Sequence, residues 1–189
     1  MRVFEKAGPT NTQETLRIAL EQARAHACPI VLSSNHGETT QALLDMLQAQ
    51  GVSLPIISVT HAAGYPEKGK VEMSAETRAA LAAQGVYVLT AAHALTGASR
   101  SFPDSGMYPM QIVADSLRML GQGSKVCVEV STMALDAGQL AYGQAVVAIG
   151  GTGRGADTAM LLTPSYSADI FATRIHEIFC KPADQKQRA

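Results

Sequence analysis

The sequence predicts an α/β domain, a three-layer α/β/α sandwich on a mostly parallel sheet, and three observations carry that prediction. Short runs rich in Ile and Val alternate along the chain with stretches whose apolar residues recur at helical spacing. The runs are continuously apolar, as in strands covered on both faces, and strands alternating with helices build a parallel sheet. Finally, 189 residues with 47% hydrophobic content fit a single domain, read here as 1–189, with room for a sizeable core.

Taken in order, Val3 and Phe4 predict a short edge strand before the loop Gly8-Pro9-Thr10. Asn11 and Glu14 have the spacing of a capping box, and Leu16, Ala19, Leu20 and Ala23 share one stripe of a helix over Thr12 to His26. Ile30 to Ser33, bounded by Pro29, reads as a buried strand. The Leu43, Leu44 and Leu47 pattern makes a helix running to Gln50, capped by Gly51. Pro55 to Thr60 is the next strand. His61 to Met73, with two glycines and a proline, is a surface loop placed to fold over a site. Ser74 starts a short Ala-rich helix that ends near Gly85, and Gly85 to Thr90 follows as a strand.

The longest irregular segment is Ala91 to Tyr108, which carries His93, Arg100 and Pro103; connections longer than roughly 12 to 15 residues are usually functional or disordered. Helical spacing returns at Met110 and lasts to Gly121. Lys125 to Gly138 fits either period; helix is chosen because the next strand comes only at Ala145 to Ile149. A glycine-dense loop, Gly150 to Asp157, then leads to a strand at Thr158 to Thr163, and Ile175 to Cys180 reads as an edge strand.

Composition narrows the function classes. The formal net charge is −1 with no basic run, so neither nucleic acid nor an anionic membrane is expected as a partner. No apolar stretch reaches the roughly 20 residues of a spanning helix, and no secretion signal is read at the N-terminus. Cys28, Cys127 and Cys180 are far apart and odd in number, which points to buried thiols in a reducing cytoplasm.

Ligands of parallel sheets bind outside the carboxyl ends of the strands. That rule gathers Ser33 to Thr39, Thr60 and His61, Thr90 to His93, and Gly150 to Asp157 at one rim. In the first segment Ser33, Ser34, Asn35 and Thr39 supply neutral donors. Gly37 admits a ligand to the backbone, and the amides opening the next helix suit an anion; the alternative is a capped helix satisfying its own first turn. In the fourth, Gly150, Gly151, Gly153 and Gly155 surround a single Arg154 before Ala156, Asp157 and Thr158. The formal dinucleotide fingerprint there is rejected because a strand, not a helix, follows it. Arg154 is a candidate phosphate clamp, the alternative being a hairpin in which Arg154 and Asp157 pair.

His36, His61 and His93 all follow strands and are candidate general bases, but none lies at metal-motif spacing from another, so no metal site is assigned. Glu129 and Asp136 form a carboxylate pair only if their segment is a helix at the rim. No nucleophile elbow, Walker loop or His-Glu-x-x-His is present, and no reaction is named.

Ile30-Val-Leu-Ser-Ser-Asn-His-Gly-Glu-Thr-Thr40, Ile57-Ser-Val-Thr60 and Ala145-Val-Val-Ala-Ile-Gly-Gly-Thr-Gly-Arg-Gly-Ala-Asp-Thr158 resemble, in this order, the C-terminal α/β domain of pyruvate kinase. Through Asn11-Thr-Gln-Glu-Thr-Leu16, Lys125-Val-Cys-Val-Glu129 and Arg154 to Thr158, nearly the whole chain from Phe4 to Pro182 is similar to the stand-alone archaeal and bacterial family of that fold. The resemblance implies a regulatory ancestry, a phosphate site at Ser33 to Thr39 and, without the catalytic barrel, no pyruvate kinase activity. The basic residues usual in the kinase loop are missing, and His36 and Glu38 stand instead, which favours a single phosphate held by amides and hydroxyls. Flavin mononucleotide (FMN) suits that rim, phosphate at Ser33 to Thr39 and ring under the glycine turn, with Met133 or Tyr108 as stacking partner in a chain without Trp. Three readings stay open: a flavin or other nucleotide site of unknown activity, a metabolite-sensing module without turnover, and a scaffold forming a homo-oligomer.

Overall fold

The computed structural model describes residues 1–97 and 108–184; Arg100 and Pro103, singled out in the sequence, lie outside them. The strands are β1 (Arg2–Lys6), β2 (Ile30–Ser33), β3 (Ile56–Thr60), β4 (Tyr87–Thr90), β5 (Val146–Gly150), β6 (Thr158–Thr163) and β7 (Arg174–Asp184). The α-helices are α1 (Thr12–Ala25), α2 (Glu38–Ala49), α3 (Ala75–Ala83), α4 (Pro109–Arg118) and α5 (Gln122–Asp136). All seven strands form one sheet in the order β1-β7-β6-β5-β2-β3-β4. Every neighbouring pair is parallel except those made by β6, which runs against β5 and β7.

Strand side chains divide by parity between two cores. Ile30, Leu32, Val147 and Ile149 pack with Leu16, Leu20, Leu43, Leu47 and Leu81 of α1, α2 and α3. Val31, Val146, Ala148 and Val59 pack with Ala114 of α4 and Val128, Met133 and Leu135 of α5. Both faces of the central strands are thereby covered, which is why those strands lack polar alternation and why the three-layer α/β/α sandwich forms.

The segment of uncertain period is a helix. From Gly123 to Leu135 every residue of α5 but Val126 is buried, so no polar face marks its period in the sequence. Gly138 closes it at φ +70°, with Gln139 N–H donating to the Ala134 carbonyl at 3.0 Å. Ser74 caps α3, its hydroxyl accepting from Thr77 N–H at 3.1 Å.

Two local expectations are corrected. Asn11 does not cap α1: a 3₁₀ turn over Pro9–Asn11 winds into the helix, and the Asn11 side chain donates instead to the carbonyls of Lys6 at 2.8 Å and Gly8 at 3.3 Å. Glu14, the other half of the expected box, pairs with Arg17 at 2.8 Å. The last strand is an edge over only part of its length: residues before Cys180 pair with β6 alone, but the strand runs on to Asp184 and from Cys180 pairs with β1, which is the edge in the sheet order. No helix among the described residues is long and apolar enough to cross a membrane.

Candidate functional site

The carboxyl ends of β2, β3, β4 and β5 share one edge of the sheet because these neighbours are mutually parallel. Chain order jumps from second to fifth strand between β2 and β5, the kind of switch point where connections part and leave a crevice. A hollow of about 240 Å³ opens there. Its walls are the loop after β2 (Ser33, Ser34, Asn35, His36, with Glu38 and Thr39), the turn Gly153, Arg154 and Gly155 after β5, and His61 with Glu72. A second hollow of about 190 Å³ adjoins it, sharing Ser33, Asn35 and His61 and adding Thr60, Tyr65, His93, Lys125 and Met133 among others.

The loop after β2 leaves its donors open. Ser34 N–H is spent on the Val59 carbonyl at 2.9 Å, and Thr40 N–H approaches Ser34 Oγ at 3.4 Å. Between them, the amides of Asn35, His36, Gly37, Glu38 and Thr39 donate to no protein acceptor among the described residues. Gly37, at φ +96°, makes the turn into α2, where those amides gather at the positive end of a helix dipole. Its role is conformational: a Cβ there would meet Thr77 Cγ2 at 2.6 Å as well as a left-handed backbone.

The glycine turn is organised from within. Asp157 is fully buried and accepts from Gly8 N–H at 3.1 Å, Thr152 N–H at 3.1 Å and the Thr158 hydroxyl at 2.8 Å. Arg154 does not pair with it. The Arg154 side chain is exposed at the hollow and makes no hydrogen bond or ion pair among the described residues. Several glycines are dictated by packing rather than by ligand access. A Cβ on Gly150 would lie 2.4 Å from the Gly123 carbonyl oxygen of α5, and one on Gly151 would lie 2.3 Å from the Gly155 oxygen. Thr158 fills the space left by Gly123, whose Cβ would fall 2.1 Å from Thr158 Oγ1. Gly155 lines the hollow but also lets α1 approach, with Ala156 N–H donating to Thr12 Oγ1 at 3.0 Å.

His61 is held at three points at the rim. Its backbone amide donates to Asn35 Oδ1 at 3.0 Å, its Nε2 is 3.2 Å from Asn35 Nδ2, and its Nδ1 is 2.5 Å from Glu72 Oε2. The other Glu72 oxygen is 3.7 Å from His36 Nε2. The rings of His93 and Tyr65 stand roughly perpendicular to the same imidazole at centroid distances of 5.3 and 4.8 Å. The three histidines therefore do gather, although no group of three or more His, Cys, Asp or Glu among the described residues is arranged to hold a metal ion.

Of the residues singled out in the sequence, Ser33, Ser34, Asn35, His36, Thr39, Arg154 and Gly155 line the first hollow, and Thr60 and His93 line the second. Thr60 is held in place: its hydroxyl donates to the His61 carbonyl at 2.8 Å and meets Thr90 Oγ1 at 2.7 Å. Gly37, Gly150, Gly151, Asp157 and Thr158 line neither hollow and build the loops behind them. The carboxylate pair of Glu129 and Asp136 does not form. Glu129 is buried in an ion pair with Lys125 and accepts from Leu95 N–H at 3.0 Å, whereas Asp136 accepts from Ser167 N–H at the far end of α5. Glu72 and Tyr65, both in the irregular loop after β3, carry no motif or periodicity by which the sequence could have pointed to them.

All three cysteines are free and buried. Burial pushes the Cys127 thiol well above its ordinary range and the Cys180 thiol up to about 11. Both are thus held as protonated thiols at neutral pH, and neither is a nucleophile of the rim. No family model matches the chain.

Proposed function

We propose that the rim binds a small phosphate-bearing ligand, with its phosphate on the loop Ser33 to Thr39. One observation carries this reading: the amides of residues 35–39, at the start of α2, have no protein acceptor among the described residues, and Asn35, His36, Glu38 and Thr39 line the same hollow as the unpaired Arg154. Oriented amides at a helix start favour an anion, and a guanidinium across the hollow can close on it with two parallel hydrogen bonds. The hydroxyls of Ser33 and Thr39 complete a mostly neutral cradle. That matches a single phosphate better than a bisphosphate, because Glu38 and Glu72 flank it.

A nucleotide, and flavin mononucleotide in particular, fits this division: phosphate in the first hollow, and the base or ring reaching past His61 toward Tyr65, His93 and Met133 in the second. The resemblance to the stand-alone pyruvate kinase C-terminal-like family is consistent with such a site, and membership of that family belongs to the same proposal.

The test is an absorbance spectrum of freshly purified protein from about 300 to 550 nm, with mass analysis of whatever is released on denaturation. Flavin bands and a released mononucleotide establish the cofactor. A colourless protein that also fails to bind inorganic phosphate, flavin mononucleotide or adenosine monophosphate in calorimetry overturns the reading.

A further inference from the structure

The hydrogen positions in the Asn35, His61 and Glu72 chain follow from one donor that cannot change roles. The backbone amide of His61 only donates, so the Asn35 atom facing it at 3.0 Å is the carbonyl oxygen. That fixes the carboxamide, and its nitrogen faces His61 Nε2 at 3.2 Å. An amide nitrogen donates, so Nε2 is the acceptor and carries no proton. The ring proton is then on Nδ1, which donates to Glu72 Oε2 at 2.5 Å. The backbone beneath is held too: the Thr60 hydroxyl donates to the His61 carbonyl and receives the Thr90 hydroxyl, which Arg78 contacts in turn.

The consequence lies at the wall common to both hollows, where Asn35 and His61 stand together. Nε2 is an acceptor there, and Asn35 Nδ2 keeps a second N–H with no protein partner among the described residues. The 3.2 Å contact between them is at the long end of the range for such bonds. The single Nε2 lone pair is spent on that contact, so a ligand hydroxyl engages both atoms by replacing it, donating to Nε2 while accepting from Nδ2, whereas an alkyl chain does neither.

We propose that His61 Nε2 and Asn35 Nδ2 together recognise a hydroxyl of the bound ligand, with Glu72 the positioning residue that holds the accepting tautomer. The site then selects phosphate esters of polyols over esters of plain alkyl alcohols. This rests on the phosphate-loop reading above, because the phosphate brings the neighbouring carbons to His61.

Calorimetric titration with glycerol 3-phosphate and propyl phosphate separates the two ideas. The expected result is about tenfold tighter binding of glycerol 3-phosphate, the size of a hydroxyl matched to both partners, and a ratio near one in His61→Phe. Equal affinities in the wild-type protein overturn the hydroxyl assignment and leave the phosphate loop standing. No binding of either ester, nor of inorganic phosphate, removes both. The unliganded wild-type protein supplies a second readout that does not depend on a variant folding: nitrogen-15 NMR of the His61 ring should show a protonated Nδ1 and a bare Nε2. The opposite tautomer overturns the proposal.

Discussion

The loop over residues 33–39 and the turn over 150–158 both follow a buried strand, both carry glycine, hydroxyl and charged residues, and both reach the same hollow. Their polar groups end in opposite states. In the first, consecutive amides are left without protein acceptors and the hydroxyls line open space. In the second, Asp157 gathers two backbone amides and a hydroxyl from inside the protein, and the glycines at 150 and 151 exist because other backbone crosses where a Cβ would be. Glycine serves two physical ends in these loops, a left-handed turn at 37 and chain crossing at 150 and 151. What distinguishes the loops is where the N–H groups are satisfied.

The contrast is broken most severely at Asp157. Asp157→Ala strands three donors at once, two buried and the Thr152 amide half-buried, each costing roughly 1–3 kcal/mol when left unpaired, so a loss of about 4 kcal/mol in denaturant unfolding is expected. Cys127 reports the same event from behind the turn. Its sulfur lies 3.5 Å from the Ala148 carbonyl and 3.9 Å from that of Thr158, so alkylation should be slow in the wild-type protein and faster in the variant. A loss below about 1 kcal/mol would show that water replaces the carboxylate without strain.

Charge placed in the open loop acts on affinity instead. Ser33 is half-buried at the wall of both hollows, and Ser33→Asp sets a carboxylate against the phosphate. Binding of inorganic phosphate should weaken about 100-fold, since like charges at a recognition site cost a few kcal/mol. Unchanged phosphate affinity would place the anion elsewhere. Gly150→Ala, by contrast, pushes a methyl group against the Gly123 carbonyl of α5 at 2.4 Å. It should cost about 2 kcal/mol of stability through overpacking, read as a lowered melting temperature.

How much of this was legible depended on whether a residue's partner lay in a regular pattern. Apolar runs located β2, β3 and β5 because both parities are buried, and Ser74, Gly51 and Gly138 punctuated helices by local rules. The same double burial blurred the period of α5, which the spacing to the next strand still identified as a helix. β7 misled in the opposite way. Arg174 to Glu177 are exposed and pair with β6 alone, β1 joining only from Cys180 onward, so a strand that is interior in the sheet order reads as an edge. At the rim, Ser33 to Thr39 and Arg154 were legible as donor-rich loop positions. Glu72 was not, because it reaches His61 from the far end of an irregular connection. Asp157 read as ligand-facing because composition cannot tell an amide awaiting an anion from one already bound by a buried carboxylate.

Arg154 sharpens the comparison with the smallest change. It stands within the self-satisfied turn, yet in the proposed reading it acts with the open loop, because its side chain is exposed and has no partner among the described residues. Removing it deletes no internal contact, and Arg154→Ala should leave stability within about 0.5 kcal/mol of the wild type. If the proposed phosphate site is right, the same change removes a charge-assisted contact, so phosphate affinity should fall about tenfold, less than the burial of a clamp would give because the guanidinium is exposed to solvent. Arg154→Lys separates charge from shape: a point charge recovers only part of the loss if the guanidinium grips two oxygens, and all of it if long-range attraction is the whole effect. Rising salt should narrow the gap between wild type and Arg154→Ala, since screening acts on the exposed charge and spares the amides of residues 35–39.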